Sequence, residues 1–162
     1  MEHTVTPNDA SPGPADIDET DRKILKILQT DGRVALSEIA RRLDMGSATI
    51  HERTNDLEER GYIREYRAVL DPEMLGFPEV AFVQVDTEAG RFSGVAERLA
   101  EVPAIQEIHE VTGESDLLLK VRVSDRSALT DLLTRIGEYD GVRTTATNIA
   151  LRSVQEEHGL DL

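Results

Sequence analysis

Two stretches in the second half of the chain carry apolar residues at i, i+3, i+4 and i+7. They are Phe92, Val95, Ala96 and Leu99, then Leu129, Leu132, Leu133 and Ile136. That spacing is the one-sided stripe of an amphipathic helix. Four runs of strand-forming residues flank them: Val80 to Asp86, Ile105 to Val111, Leu117 to Val123 and Val142 to Leu151. The middle two are separated by a turn at Gly113-Glu114-Ser115. The order β-α-β-β-α-β predicts a ferredoxin-like α+β unit, a four-stranded antiparallel sheet with both helices on one face. Its other face is left for a partner, and a homo-oligomer starting from a dimer is the simple way to cover it.

The first third follows a different plan. Asp18 is a candidate cap, Glu19 and Asp21 suit the positive start of a helix, and Ile24, Ile27 and Leu28 form its stripe until Asp31-Gly32. Leu36, Ile39, Ala40 and Leu43 define a second, two-turn helix that breaks at Asp44-Met45-Gly46. A third helix is expected from Ser47, read as its cap, to Gly61, which suits a left-handed stop. Ile50, Thr54 and Leu57 share its inner face, and at about 100° per residue Ala48, Glu52 and Asn55 fall opposite, with Thr49 and His51 on the flanks. Tyr62 to Val69 alternates apolar with charged residues, the pattern of a strand pair or wing. Residues 17–70 thus form one domain and residues 80–152 another. The segment 71–79, with Pro72, Gly76 and Pro78, links them, while 1–16 and 153–162 are tails.

Charge separates the two domains further. The chain carries 32 acidic residues against 18 basic ones, a net charge of -14. Such a balance resembles that of proteins from salt-accumulating cells, where strong salt shortens the Debye length to about 3 Å at 1 M. Alone it argues against a nucleic-acid partner. Yet residues 17–70 hold ten bases against eleven acids, whereas residues 71–162 hold eight against eighteen. Any contact with phosphate belongs to the first domain. No apolar run approaches the roughly 18 residues of a membrane span, and Met1 to Ala15 lacks the basic start and apolar stretch of a leader. A cytoplasmic location without membrane association is expected. With no Cys, thiolate metal sites and thiol nucleophiles are excluded. His3, His51, His109 and His158 are scattered, so no metal site is expected, and no nucleophile triad or phosphate-cradling glycine loop points to a cofactor or an enzyme.

Several of these residues fall together in a known order. Ile17-Asp18-Glu19-Thr20-Asp21 with Ile24-Leu25, then Asp31-Gly32-Arg33, Glu38-Ile39-Ala40, Arg53 with Leu57-Glu58, and Gly61-Tyr62-Ile63 resemble the opening of the Lrp/AsnC family of feast/famine transcription regulators. Val111-Thr112-Gly113 with Asp116, Leu117-Leu118-Leu119, and Gly141-Val142 followed by Thr145, Thr147, Ile149 and Leu151 continue the match. The resemblance covers about residues 17 to 152. It implies a winged helix-turn-helix followed by a ferredoxin-like module that dimerises, assembles further and binds a small effector, often an amino acid. The same two-domain layout occurs in sirohaem decarboxylases, so tetrapyrrole chemistry is the alternative activity, and an effector-sensing oligomer that does not bind DNA is the other. Three positions depart from the family pattern: Ala35 in place of a capping hydroxyl, Thr54 in place of an aliphatic residue, and Asp140 where Pro is common.

By resemblance, the helix from Ser47 lies in the major groove of double-stranded DNA. Asn55 is then a candidate bidentate partner of adenine and Glu52 an acceptor from cytosine N4; both are otherwise solvated helix residues. Ala48 lies on the same face. Ser47 and Thr49 suit the helix start and phosphate, and His51 is a flanking surface residue that could touch a phosphate or base edge. Arg41, Arg42, Arg64 and Arg67 are the better phosphate candidates, whereas Arg53, beside the apolar face, suits an internal ion pair first and a phosphate contact second. For Thr112, Gly113, Glu114, Ser115 and Asp116 the plain reading is a hairpin turn. The functional one has turn amides holding an effector carboxylate and Asp116 taking its ammonium group, with Thr145 and Thr147 completing the pocket.

Overall fold

The computed structural model describes residues 17–156 and 159–162. The expected tail over residues 1–16 lies outside the described residues. The chain divides into two compact units, with the break between Val69 and Leu70; Gly159 to Leu162 belong with the first and residues up to Glu156 with the second.

The first unit holds α1 (Glu19–Thr30), α2 (Leu36–Leu43) and α3 (Ser47–Glu59). Asp18 caps α1 reciprocally: its carboxylate accepts the Asp21 N–H at 2.8 Å, and the Asp21 carboxylate accepts the Asp18 N–H at 3.2 Å. The cap of α2 is Ala35, which offers no side chain to the orphan amides. Asp44, at φ 52 and ψ 48, turns the chain out of α2 through the left-handed region.

α3 starts at Ser47 as expected, but Ser47 is not its cap. Gly46, extended at φ -68 and ψ 138, is the cap, and its carbonyl already accepts the Ile50 N–H at 3.1 Å. Ser47 is therefore inside the first turn and cannot cap it. At the other end Gly61 takes φ 77, and the Tyr62 and Gly61 amides bond back to the carbonyls of Leu57 and Glu58 at 2.9 and 3.0 Å, a Schellman closure. Ile24, Leu28, Ile39, Ala40, Ile50 and Leu57 form the core of this unit. Thr54 is buried among them with its hydroxyl donating to the Ile50 carbonyl at 2.8 Å, so this departure leaves no orphan polar group.

The alternating segment after Gly61 forms no strand pair. Residues 64–70 carry no ladder, since alternation selects a face only where another strand is there to pair. Tyr66 instead lies against Gly32 and donates its hydroxyl to Glu58 on α3 at 2.9 Å. Along α1, the Gln29 side-chain amide donates to the Leu160 carbonyl at 2.7 Å and accepts its N–H at 2.8 Å, as a strand backbone would.

The second unit runs β1 (Glu79–Thr87), α4 (Phe92–Ala100), β2 (Ile105–Glu110), β3 (Leu117–Val123), α5 (Arg126–Gly137) and β4 (Val142–Ile149). The sheet is antiparallel in the order β2-β3-β1-β4, the expected topology. Ala81, Val83 and Val85 of β1 and Leu117, Leu119, Val121 and Val123 of β3 point inward, where Val95 and Leu99 of α4 and Leu129, Leu132 and Ile136 of α5 cover them. Both helices therefore lie on one face. The opposite face presents Phe82, 39% exposed, together with Leu118, Lys120 and Arg122. Lys120 and Arg122 share Glu156 at 3.1 and 2.8 Å.

Candidate nucleic-acid interface and effector turn

α3 is anchored by Ile50, Thr54 and Leu57, which turns Ala48, Thr49, His51, Glu52 and Asn55 outward into solvent. Ser47 is exposed at the start of the same helix. The helix is held by its own ion pair: Arg53 Nη1 donates to Asp18 Oδ2 at 2.8 Å and to Asp21 Oδ1 at 2.7 Å. Asp21 is buried, so the guanidinium satisfies a carboxylate that water scarcely reaches. Asp18 is held below its ordinary pKa, first by the Asp21 backbone N–H and then by Arg53.

Three of the four arginines expected at phosphate, Arg41, Arg42 and Arg67, stand in ion pairs of their own. Glu38 accepts from Arg41 Nε at 2.8 Å and Arg41 Nη2 at 2.7 Å, and also from Arg42 Nε at 2.9 Å. These two guanidiniums hold the Glu38 carboxyl well below its usual range, at about 2. Arg67 faces Glu65 at 3.4 Å on an open surface, and Arg64 is exposed. The role of Glu38 was missed in the sequence, although its i+3 and i+4 spacing to Arg41 and Arg42 is that of a helix ion pair.

In the second unit the turn holds Thr112, Gly113, Glu114, Ser115 and Asp116 between β2 and β3, with Gly113 at φ 130. The Asp116 N–H donates to the Val85 carbonyl at 3.1 Å, and Asp116 Oδ2 accepts the N–H and hydroxyl of Thr87 at 2.8 and 2.7 Å. Those bonds, the hydroxyl first, lower the Asp116 pKa. Thr145 and Thr147 pair opposite Val85 and Val83, on the face that carries the helices. β1 thus separates Asp116 from Thr145, a width of about 10 Å across two strand spacings. The register brings Asp116 to Thr87, a partner unforeseen in the sequence, rather than to the two threonines.

His109 lies 3.3 Å from Glu107, which also faces Lys120 at 3.4 Å. No group of three or more His, Asp or Glu side chains able to hold a metal ion stands among the described residues. No helix among them is long and apolar enough to cross a membrane.

Residues 17–64 match the family model described as winged helix-turn-helix DNA-binding, and residues 80–160 match that described as Lrp/AsnC ligand binding domain. The chain is 42% identical to the HTH-type transcriptional regulator FL11 of Pyrococcus horikoshii, over 86% of this chain and 93% of that one. It is 35% identical to the leucine-responsive regulatory protein of Salmonella typhimurium, over 90% and 91%. Among solved structures, an AsnC family transcriptional regulator from Agrobacterium tumefaciens superposes with a TM-score of 0.83 at 28% identity, over 89% of this chain and 96% of that one. A transcriptional regulator from Neisseria meningitidis in complex with L-Met superposes with a TM-score of 0.82 at 26% identity, over 89% and 96%.

Proposed function

The chain belongs to the Lrp/AsnC family of HTH-type transcriptional regulators, and from that membership we propose that it reads operator DNA with the outer face of α3 as a homo-oligomer tuned by an amino acid. The observation that carries this reading is the face itself. Ala48, Thr49, His51, Glu52 and Asn55 stand exposed on a helix whose opposite side is fixed by Ile50, Thr54, Leu57 and the Arg53 ion pair. A recognition helix needs that combination of a rigid seat and short polar side chains free to meet base edges. Ser47, Arg41, Arg42, Arg64 and Arg67 supply phosphate contacts that orient the helix.

The domain division supports a separation of tasks: residues 17–70 bind DNA, 71–79 link, and 80–152 assemble and sense. Phe82 and Leu118 on the open sheet face favour a dimer through that face. The amino-acid effector is supported by two relatives, one named leucine-responsive and one captured with L-Met. In this chain Thr112 to Asp116 would hold its carboxylate and ammonium groups, with Thr145 and Thr147 across the strand. The relatives are named as regulators, and we read this chain likewise as a cytoplasmic regulator without enzymatic activity.

Fluorescence anisotropy with DNA from upstream of its own gene, compared with shuffled DNA and repeated with each amino acid, tests the reading. Tighter binding to the upstream DNA, shifted by at least one amino acid, is expected. Equal affinity for both DNAs would overturn it.

A further inference from the structure

The first two helices of the chain start in opposite ways. In α1 the acid at the third helical position, Asp21, folds back onto the backbone N–H of the cap, Asp18. In α2 the acid at the same position is Glu38, but the cap is Ala35, which has no hydroxyl to complete the reciprocal pair. Glu38 reaches forward instead and takes both guanidiniums of the next turn, through three bonds of 2.7 to 2.9 Å. It occupies the Nε and Nη2 edge of Arg41, the edge with which arginine grips a phosphate bidentately, and the Nε of Arg42. Neither arginine is buried: their side chains are 74% and 48% exposed. They are accessible and already occupied.

We propose that Glu38 is a positioning residue that masks Arg41 and Arg42, so that DNA must displace an internal carboxylate before these arginines reach phosphate. The inference rests on the reading of Arg41 and Arg42 as phosphate contacts. Its physical consequence is in the salt dependence. Each phosphate neutralised by a cationic side chain contributes about -0.9 to the slope of log affinity against log salt, through released counterions. A phosphate that displaces Glu38 leaves an exposed carboxylate behind, which recovers a cation from solution and offsets that release. Masking also lowers affinity for any DNA, whatever its sequence, so discrimination is left to α3.

The test uses the full chain and three variants, with random-sequence duplex as the probe and anisotropy measured over a range of potassium chloride. E38Q is expected to bind about fivefold more tightly at moderate salt, with a slope steeper by about 0.9. E38A removes the carboxylate together with its stem, so it is expected to shift affinity and slope in the same direction. A purely structural role for Glu38 would move the Tm and leave the slope alone. The double variant R41Q/R42Q tests the underlying reading and is expected to weaken binding and flatten the slope. If R41Q/R42Q weakens binding while E38Q and E38A leave the slope unchanged, masking is overturned and the phosphate contacts stand. If R41Q/R42Q leaves binding unchanged, the phosphate contacts fall and masking falls with them. Should E38Q fail to fold, E38A decides alone, because it too removes the carboxylate and leaves both arginines in place.

Discussion

Asp116 closes on Thr87 with a single oxygen, its Oδ2 accepting both the backbone N–H and the hydroxyl of that residue. The start of β3 is thereby fastened to the end of β1, across the turn at which the effector is proposed to bind. No hydrogen bond reaches the second oxygen, Oδ1, from the described residues, which leaves an acceptor for an incoming ammonium group.

Removing the charge while keeping the shape should separate these two tasks. D116N retains a carbonyl oxygen that can accept both Thr87 donors, so its Tm at neutral pH is expected within a few degrees of the parent. The rise in Tm that an effector amino acid produces in the parent should vanish, because a neutral amide offers an ammonium group much less than a carboxylate. Thermal melts with and without the amino-acid panel check this.

Arg53 is expected to hold the first unit together rather than touch DNA. R53M leaves Asp21 buried without its partner, and a loss of about 1–2 kcal/mol is expected after allowing for the partial exposure of the guanidinium. Urea denaturation measures it, and an unchanged midpoint would show that Asp21 finds water instead.

The two ends of the chain's glycine requirement can be told apart. Gly61 has φ 77 with open space around an added Cβ, so G61A is expected to cost about 1 kcal/mol from backbone conformation alone. Gly141 has φ 95, and a Cβ there would meet Val95 Cγ2 at 3.1 Å and Arg91 Nε at 3.2 Å. G141A is expected to cost more, about 2–3 kcal/mol, since strain and contact add. Equal midpoints for the two variants in urea would contradict this ordering.

Much of this was legible because local rules and tertiary packing agree. The stripe in α5 and the inward alternation of β3 each place the same residues in the core that periodicity selects. Asp18 as a cap follows from the same logic. Misses came where a local pattern has two outcomes. Ser47 is a good cap by type, but Gly46 before it can take the extended conformation as readily, and the hydrogen bond to Ile50 chooses Gly46. Tyr62 to Val69 alternates as a strand does, but no strand among the described residues pairs with it and Tyr66 goes to Glu58. At the candidate interface, the outward face of α3 could be counted along the chain. The Glu38 pairs could have been found by spacing, whereas Glu156 meets Arg122 from 34 residues away, which no local signal announces.

Acid should reveal the Glu38 pairs independently of DNA. Its folded pKa, about 2, lies below the ordinary 4.5, so ionised Glu38 contributes stability that is fully present above pH 4.5 and lost as pH falls from there towards 2. The Tm of the parent is expected to drop more steeply than that of E38Q across this window, and melts at closely spaced pH values check it. Parallel curves would mean that Arg41 and Arg42 leave Glu38 in solution.

If α3 reads sequence, a variant of its outer face must lose base discrimination. E52A/N55A keeps Ile50, Thr54, Leu57 and Arg53, and hence the seat of the helix. Its affinity for shuffled DNA should not fall, while its preference for the upstream site over shuffled DNA should drop by at least about fivefold, the lower end of what one lost base contact costs. An unchanged preference, with the helix folded, would move recognition away from α3.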